Sequence, residues 1–289
     1  MKLSEMNELY SKNGWMVLDL AHPETVFEVR DAMVSFLQES FFPTLEQLED
    51  LHEHISDAEE YVKIHLALNG FFREQQFAKK IISSELDTFQ KFIGPDLSVQ
   101  TNPYLRVARP GVAGDNIGIH RDTFYGASPY ELSVVVAYTD LNEDSALRVL
   151  SGSQGTPDDE IRFSEVSIDG VERGSPRHLA GIPYVARVVS PEVANEAVPI
   201  PITVGQVLVF GLATVHGQEI NQGAGTRVTS DIRVVNGLAP FANKRTVADS
   251  YYTPLSISPV SEQAGFFSRT SQDNPNTPVM SVDKGFAGY

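Results

Sequence analysis

The sequence predicts an α+β fold in which helices from the first third pack on the outside of an antiparallel jelly roll. Two observations predict it. Residues 1–95 carry apolar side chains at helical spacing between cap signals, and residues 97–236 switch to short β-branched runs separated by Gly, Pro, Asn and Asp. Helices followed by a long run of strands fit one α+β unit, with 1–289 read as a single domain.

In chain order, Met1–Ser11 is a short helix that stops at Asn13-Gly14, and Trp15–Leu20 is a short buried strand. Pro23 and Glu24 open a second helix with Val26, Val29, Met33, Phe36 and Leu37 on one stripe. Thr44 with Gln47, and Ser56 with Glu59, form capping-box patterns, so two more helices fill the region to Ile93. The expected strands are Leu97–Thr101, Tyr104–Ala108, Asn116–His120, Glu131–Tyr138, Leu147–Leu150, Val185–Val189, Ala197–Ile202, Val207–Phe210, Ala213–His216 and Arg227–Val235. Two stretches read as irregular: 155–184, expected to be a lid loop, and the tail 237–289. The aromatic residues of that tail make a homodimer an expectation.

Composition removes whole classes of function. There is no cysteine, which excludes disulfide scaffolds, thiolate nucleophiles and cysteine-held metals, so any metal is held by imidazole and carboxylate. A net charge of −16 argues for solubility and against nucleic acid and anionic lipid as partners, since those need basic surfaces. No stretch is long and apolar enough to span a membrane, and the first residues lack the apolar core of a secretory signal, so a cytoplasmic protein is expected.

One constellation carries chemistry. IGIHRDTFYG places His120 and Asp122 two apart at a strand end, where side chains at i and i+2 share a face. His216 follows a second apolar strand in QVLVFGLATVHGQ. Two imidazoles and one carboxylate form a facial triad that leaves positions open on an octahedral ion, as in non-haem Fe(II) oxygenases. Taken singly, each motif has a bland reading, since H-x-D arises by chance and a lone His after a buried strand is usually structural.

The surroundings strengthen the joint pattern. In TRVTSDIRVV, strand alternation puts Arg227, Thr229, Asp231 and Arg233 on one face. Such a face suits an anion inside a jelly roll, with Arg227 or Arg233 supplying the planar fork that matches a carboxylate and Thr229 a hydroxyl. The competing reading is an ordinary salt bridge between Asp231 and either arginine. Asn102, Tyr104 and Arg106 alternate one strand earlier and face either cosubstrate or substrate, or simply solvent. Thr123 and Tyr125 follow the metal pair and are candidates for lining the substrate pocket. His178 lies in the long loop, and His52 and His54 face apart on a helix, unsuited to a shared metal.

These segments resemble the Fe(II)/2-oxoglutarate-dependent dioxygenases, and within them the phytanoyl-CoA dioxygenase-like group, including its antibiotic-biosynthesis branch. YSKNGWMVL, IGIHRDTFYG, SALRVLSGSQ and PITVGQVLVFGLATVHGQEIN stand in the family's order, and Arg227 follows His216 by eleven residues, as the group's cosubstrate arginine does. The resemblance implies a double-stranded β-helix, a cupin-like jelly roll, with Fe(II) on His120, Asp122 and His216. It implies 2-oxoglutarate and O2 as cosubstrates, the far carboxylate of 2-oxoglutarate meeting Arg227 and Thr229, with Tyr104 and Asn102 nearby. Arg106, Thr123, Tyr125 and Arg233 are then expected on the substrate side. The reaction implied is oxidation, most simply hydroxylation, of a small molecule, with 2-oxoglutarate decarboxylated to succinate and CO2.

Departures from the family pattern also inform. Gln154 stands where the family segment ends in His. Asp122 is retained where the family's halogenases have a small residue, which disfavours halogenation. The interval 155–184 offers only Arg162, Arg173 and Arg177 among several acids, a poor fit to coenzyme A phosphates. Two other readings share the jelly roll, a cupin-type metal-dependent isomerase or epimerase and a non-catalytic binding module. The first lacks the usual second His and following Glu and gives Arg227 no role; in the second the triad is accidental.

Overall fold

Why the N-terminal third is helical is visible in its buried stripes and caps. The computed structural model describes residues 1–167, 171–172, 175–179, 185–240 and 251–271. Helix α1 (Leu3–Asn13) ends where expected: Gly14 adopts φ 79°, which favours glycine, and its N–H donates to Tyr10 O at 2.8 Å. Strand β1 (Trp15–Asp19) follows, then α2 (Glu24–Ser40), whose Val26, Val29, Met33 and Leu37 are fully buried.

The region to residue 93 holds four helices, α3 (Leu51–His54), α4 (Ala58–Glu74), α5 (Phe77–Ser84) and α6 (Leu86–Ile93), where two were expected. Thr44 caps nothing; residues 44–47 are not helical and lead into a short 3-10 turn, Leu48–Asp50, that has no side-chain cap. The second expected box is displaced by one residue. Asp57 is the cap of α4, accepting from the Glu59 and Glu60 N–H groups, while the Glu60 carboxylate reaches back to Ser56 N and Oγ at 2.7 Å.

Strands β2 (Leu97–Gln100), β3 (Tyr104–Ala108), β4 (Gly118–His120), β5 (Leu132–Ala137) and β6 (Leu147–Val149) open the jelly roll. Next come β7 (Phe163–Ser167), helix α7 (Pro176–Leu179), β8 (Val185–Val189), α8 (Pro191–Glu196), β9 (Val198–Ile200), β10 (Gln206–Gly211) and β11 (His216–Gln218). The last elements are β12 (Arg227–Asn236), β13 (Tyr252–Ser256) and α9 (Pro259–Ser271). One antiparallel sheet runs β1-β10-β5-β12-β2-β13, with β3 also paired to β12, and the other runs β4-β11-β6-β9. Among the described residues the architecture is an α+β double-stranded β-helix with no closed barrel.

Alternation along β5 shows how the layers stack. Val134 and Val136 join Val26, Val29 and Phe72 in a core between the large sheet and the helices, while Val135 and Ala137 pack with Leu147 and Val149 of the small sheet. The N-terminal helices therefore cover the outer face, and the space between the sheets is left for a site.

Three expectations change. His216 begins a strand instead of ending one, because residues 212–215 form a turn pinned by Thr214 N to Gly211 O at 2.8 Å and Val215 N to Ser153 Oγ at 2.8 Å. The expected loop 155–184 contains β7, paired in register with β8, and α7. Every residue of β7 is exposed, so no buried alternation marked it. The tail is not wholly irregular, since β13 extends the large sheet at β2 and α9 follows. Residues 168–170, 173–174, 180–184, 241–250 and 272–289 of these two stretches, Arg173 included, lie outside the described residues. No helix among the described residues is long and apolar enough to cross a membrane.

Candidate metal centre

The antiparallel pairing of β4 with β11 makes His120 and His216 direct cross-strand partners, with ring centroids 4.7 Å apart. Each ring is oriented by its own chain two residues back: His120 Nδ1 lies 2.9 Å from Gly118 O and His216 Nδ1 2.9 Å from Thr214 O. A carbonyl only accepts, so both Nδ1 atoms carry the proton and both Nε2 atoms keep a lone pair.

Asp122 meets them because Arg121 is extended, with φ −133° and ψ 134°, so the alternation of β4 carries one residue past the strand into the 3-10 turn Asp122–Tyr125. Its Oδ1 is 3.6 Å from His120 Nε2 and its Oδ2 3.8 Å from His216 Nε2. Ligand atoms of the three residues all lie within 4.8 Å of one another, the one such group of histidine and carboxylate found among the described residues. Arg121 points the opposite way. Buried, it donates to Thr156 O and Asp158 Oδ1, each at 2.7 Å, and to Ser153 O, tying the ligand turn to the chain beneath it.

Electrostatics favour a cation between these groups. Burial pushes Asp122 upward, but the Arg233 guanidinium outweighs it and holds the carboxylate far below its usual range. Burial pushes His216 down to about 4, against the pull of Asp122. Two imidazole lone pairs therefore face an ionised carboxylate, which is repulsive until a cation sits among them. This donor set fits a divalent ion of intermediate hardness with open positions.

The two candidate arginines differ sharply in their partners. Arg233 Nη2 lies 2.7 Å from Asp122 Oδ2 and 2.9 Å from Asp231 Oδ2, so it is held by two carboxylates. Arg227 is 1% exposed, and its hydrogen bonds go to Ser145 O, Asn116 Oδ1 and Gln218 Oε1, all neutral acceptors. Burial pushes its guanidinium down to about 10. A buried cation hydrogen-bonded, among the described residues, only to neutral groups is the one better suited to receive an anion.

Between the sheets lies a cavity of about 230 Å³ that both histidines, Asp122, Thr229, Asp231 and Arg233 border. The inward row expected on β12 is thus present, with Val228, Ile232 and Val234 in the helix-side core. Arg227 does not border the cavity but donates to Gln218, which does. Tyr104 and Arg106 border the cavity, Arg106 paired in register with Thr229 across the ladder. Tyr125 also borders it, its ring 5.8 Å from His120 and its hydroxyl accepting from Arg187 N at 2.7 Å.

Two candidates fall elsewhere. Asn102 lies in the turn between β2 and β3, its carbonyl accepting from Gln100 Nε2, and does not border the cavity. Thr123 is turned away, donating to Asp158 Oδ1 at 2.8 Å. Gln154 packs against the end of α1, donating to Ser11 O at 3.2 Å, so the position where the family has His is not at the metal side. His52 is used locally, with Nδ1 3.0 Å from Glu49 O. His65 is buried with Nε2 donating to Leu105 O at 2.9 Å. Gln100, Gln218 and Tyr251 border the cavity and were not foreseen. Gln218 had a signal, being two residues past His216 on one strand, whereas Tyr251 immediately precedes β13, a strand that the tail's composition concealed.

Comparison with known proteins agrees with the fold. A family profile described as phytanoyl-CoA dioxygenase (PhyH) matches residues 10–229, well over half of the chain. Among solved structures, a non-heme monooxygenase, ThoJ in its apo form, is similar at TM-score 0.51 and 19% identity, covering 88% of this chain and 84% of that one. The epimerase SnoN, in complex with Fe3+, alpha ketoglutarate and nogalamycin RO, is similar at TM-score 0.51 and 14% identity, covering 89% of this chain and 95% of that one. No curated protein matches the chain.

Proposed function

The chain belongs to the phytanoyl-CoA dioxygenase family, whose members depend on non-haem iron and 2-oxoglutarate, and from that membership we propose that it hydroxylates a small molecule. The observation that carries the reading is the convergence of two imidazoles, each held by its Nδ1 on a backbone carbonyl, on the Asp122 carboxylate, with ligand atoms within 4.8 Å of one another. His120, Asp122 and His216 hold Fe(II). Arg227, buried without an acidic hydrogen-bond partner, takes the far carboxylate of 2-oxoglutarate once Gln218 yields, and Thr229 adds its hydroxyl. Bound iron, 2-oxoglutarate and O2 supply the oxidising power, with release of succinate and CO2.

The protein's own part is orientation and dryness. The Phe210 ring lies tilted against His216 with centroids 4.3 Å apart, and Val135 and Leu147 line the cavity, so apolar walls keep water from the metal face. Tyr104, Arg106 and Tyr125 border the remaining space, where the substrate's reacting carbon is positioned. Because Asp122 is a carboxylate, halide has no ligand position to take, and hydroxylation is favoured over halogenation. Desaturation and ring formation start from the same hydrogen abstraction and differ in where the substrate is held. One catalytic domain spanning 1–289 suffices for these roles.

The test is anaerobic addition of 2-oxoglutarate to the Fe(II)-loaded protein. A weak visible charge-transfer band is expected. Its absence in folded, iron-loaded protein would favour the cupin-type isomerase or the binding module.

A further inference from the structure

Arg233 was a candidate for gripping a ligand, yet its neighbours give it other work. On β12 it pairs in register with Ser133 of β5, and its N–H donates to Gln100 Oε1 at 3.2 Å. Its Nη2 donates to Asp231 Oδ2 at 2.9 Å, and the other oxygen of Asp231 accepts from Ser133 Oγ. The guanidinium is therefore locked from behind before it reaches the metal side. Ahead of it lies Asp122 Oδ2, 2.7 Å away in an ion pair that lacks hydrogen-bond alignment. Asp122 Oδ1 is the oxygen turned to His120 Nε2, at 3.6 Å. Arg233 keeps only 12% of its side chain exposed, so water competes little for this pair.

From this arrangement we infer that Arg233 is a positioning residue that keeps Asp122 a one-oxygen ligand. The inference rests on the reading of His120, Asp122 and His216 as the iron site. A carboxylate can take one or two positions on a metal. With three protein ligands, one position each, an octahedral ion keeps three open, enough for a chelating 2-oxo acid and one more molecule. A two-oxygen Asp122 would remove one of them. Arg233, pairing its charge with Oδ2, withholds that oxygen. Asp231 and Ser133 hold the guanidinium in place, so the chain Ser133–Asp231–Arg233–Asp122 runs from the large sheet to the metal ligand.

The arrangement also accounts for why a cation is tolerated so close to a metal site. Asp122 and Asp231 together carry two negative charges against the one on Arg233, so the local balance still attracts a divalent ion. Arg233→Gln removes the positive charge and leaves both acids, which strengthens that attraction. Loss of Arg233 is therefore expected to change how the metal is bound without weakening its binding, unlike the loss of a residue that merely supports the fold.

The experiment loads the full chain with Mn(II) in place of Fe(II), without 2-oxoglutarate, and counts metal-bound waters by water-proton relaxation and by EPR broadening in 17O-water. Wild type is expected to hold three. Arg233→Gln is expected to bind Mn(II) at least as tightly and to lose one water, and Arg233→Lys, which keeps the charge, to recover it. Two waters in the wild type overturn the inference, whether or not any variant folds. So does an unchanged count in Arg233→Gln, or weaker Mn(II) binding by that variant at an unchanged melting temperature. Asp122→Ala is the separate control: if it binds Mn(II) as wild type does, the assignment of the metal site itself has failed.

Discussion

His120 and His216 sit directly opposite one another on β4 and β11, and the residue beside His216 is the reason the strands can approach so closely. A Cβ at Gly217 would fall onto Gly118 O and within 2.5 Å of Ile119 Cα, both backbone atoms of the strand that carries His120. Gly217→Ala is therefore expected to push β11 from β4, cost about 1–3 kcal/mol, and weaken metal binding more than its effect on melting implies. Denaturant unfolding alongside metal titration checks this. Unchanged stability and unchanged binding would mean that the ladder tolerates the extra carbon.

Arg227 and Arg233 are to be told apart by the cosubstrate. Arg227→Met removes the buried cation that bonds only neutral acceptors, and the KM for 2-oxoglutarate is expected to rise by about 100-fold or more, on the order of a lost buried charge contact. Arg227→Lys keeps the charge but not the fork and is expected to lie between. An unchanged KM in Arg227→Met moves the anchor to Arg106 or Arg233.

Much of this was legible in the chain because the informative residues obey local periodicity. The β12 row of Thr229, Asp231 and Arg233 borders the cavity as its alternation required, and His120 and Asp122 share a face through an extended Arg121. What escaped depended on partners far away in sequence. Nothing local to Arg227 reveals Asn116 or Ser145, and nothing local to Arg233 reveals that Asp122 and Asp231 both claim it. The exposed strand β7 had no buried face to leave a pattern, and Asn102, set in alternation with Tyr104 and Arg106, precedes the strand that begins at Tyr104.

His65 supplies a pH dependence away from the metal. Burial pushes it from the ordinary 6.5 down to about 4, against the hydrogen bond to Leu105 O. At pH 5 the unfolded chain holds this proton and the folded chain does not, so acid favours unfolding. The contribution is complete above pH 6.5 and is lost as the pH falls toward 4, up to about 3 kcal/mol across that window. His65→Gln is expected to flatten stability against pH there. An identical slope in the variant would show that the imidazole titrates normally in the fold.

Asp57 rather than Ser56 caps α4, since both Glu59 N and Glu60 N donate to it at 2.9 Å. Asp57→Ala is expected to cost about 1 kcal/mol. Thr44→Ala, at a position that caps nothing, is expected to cost far less. Thermal melts of the pair decide, and equal losses would contradict the assignment.

The most direct test of the iron site is anaerobic Fe(II) titration of the wild type, Asp122→Ala and His216→Ala, each with its melting curve. One ferrous ion per wild-type chain is expected, with binding lost in both variants while they remain folded. Wild-type affinity in either folded variant would contradict the site.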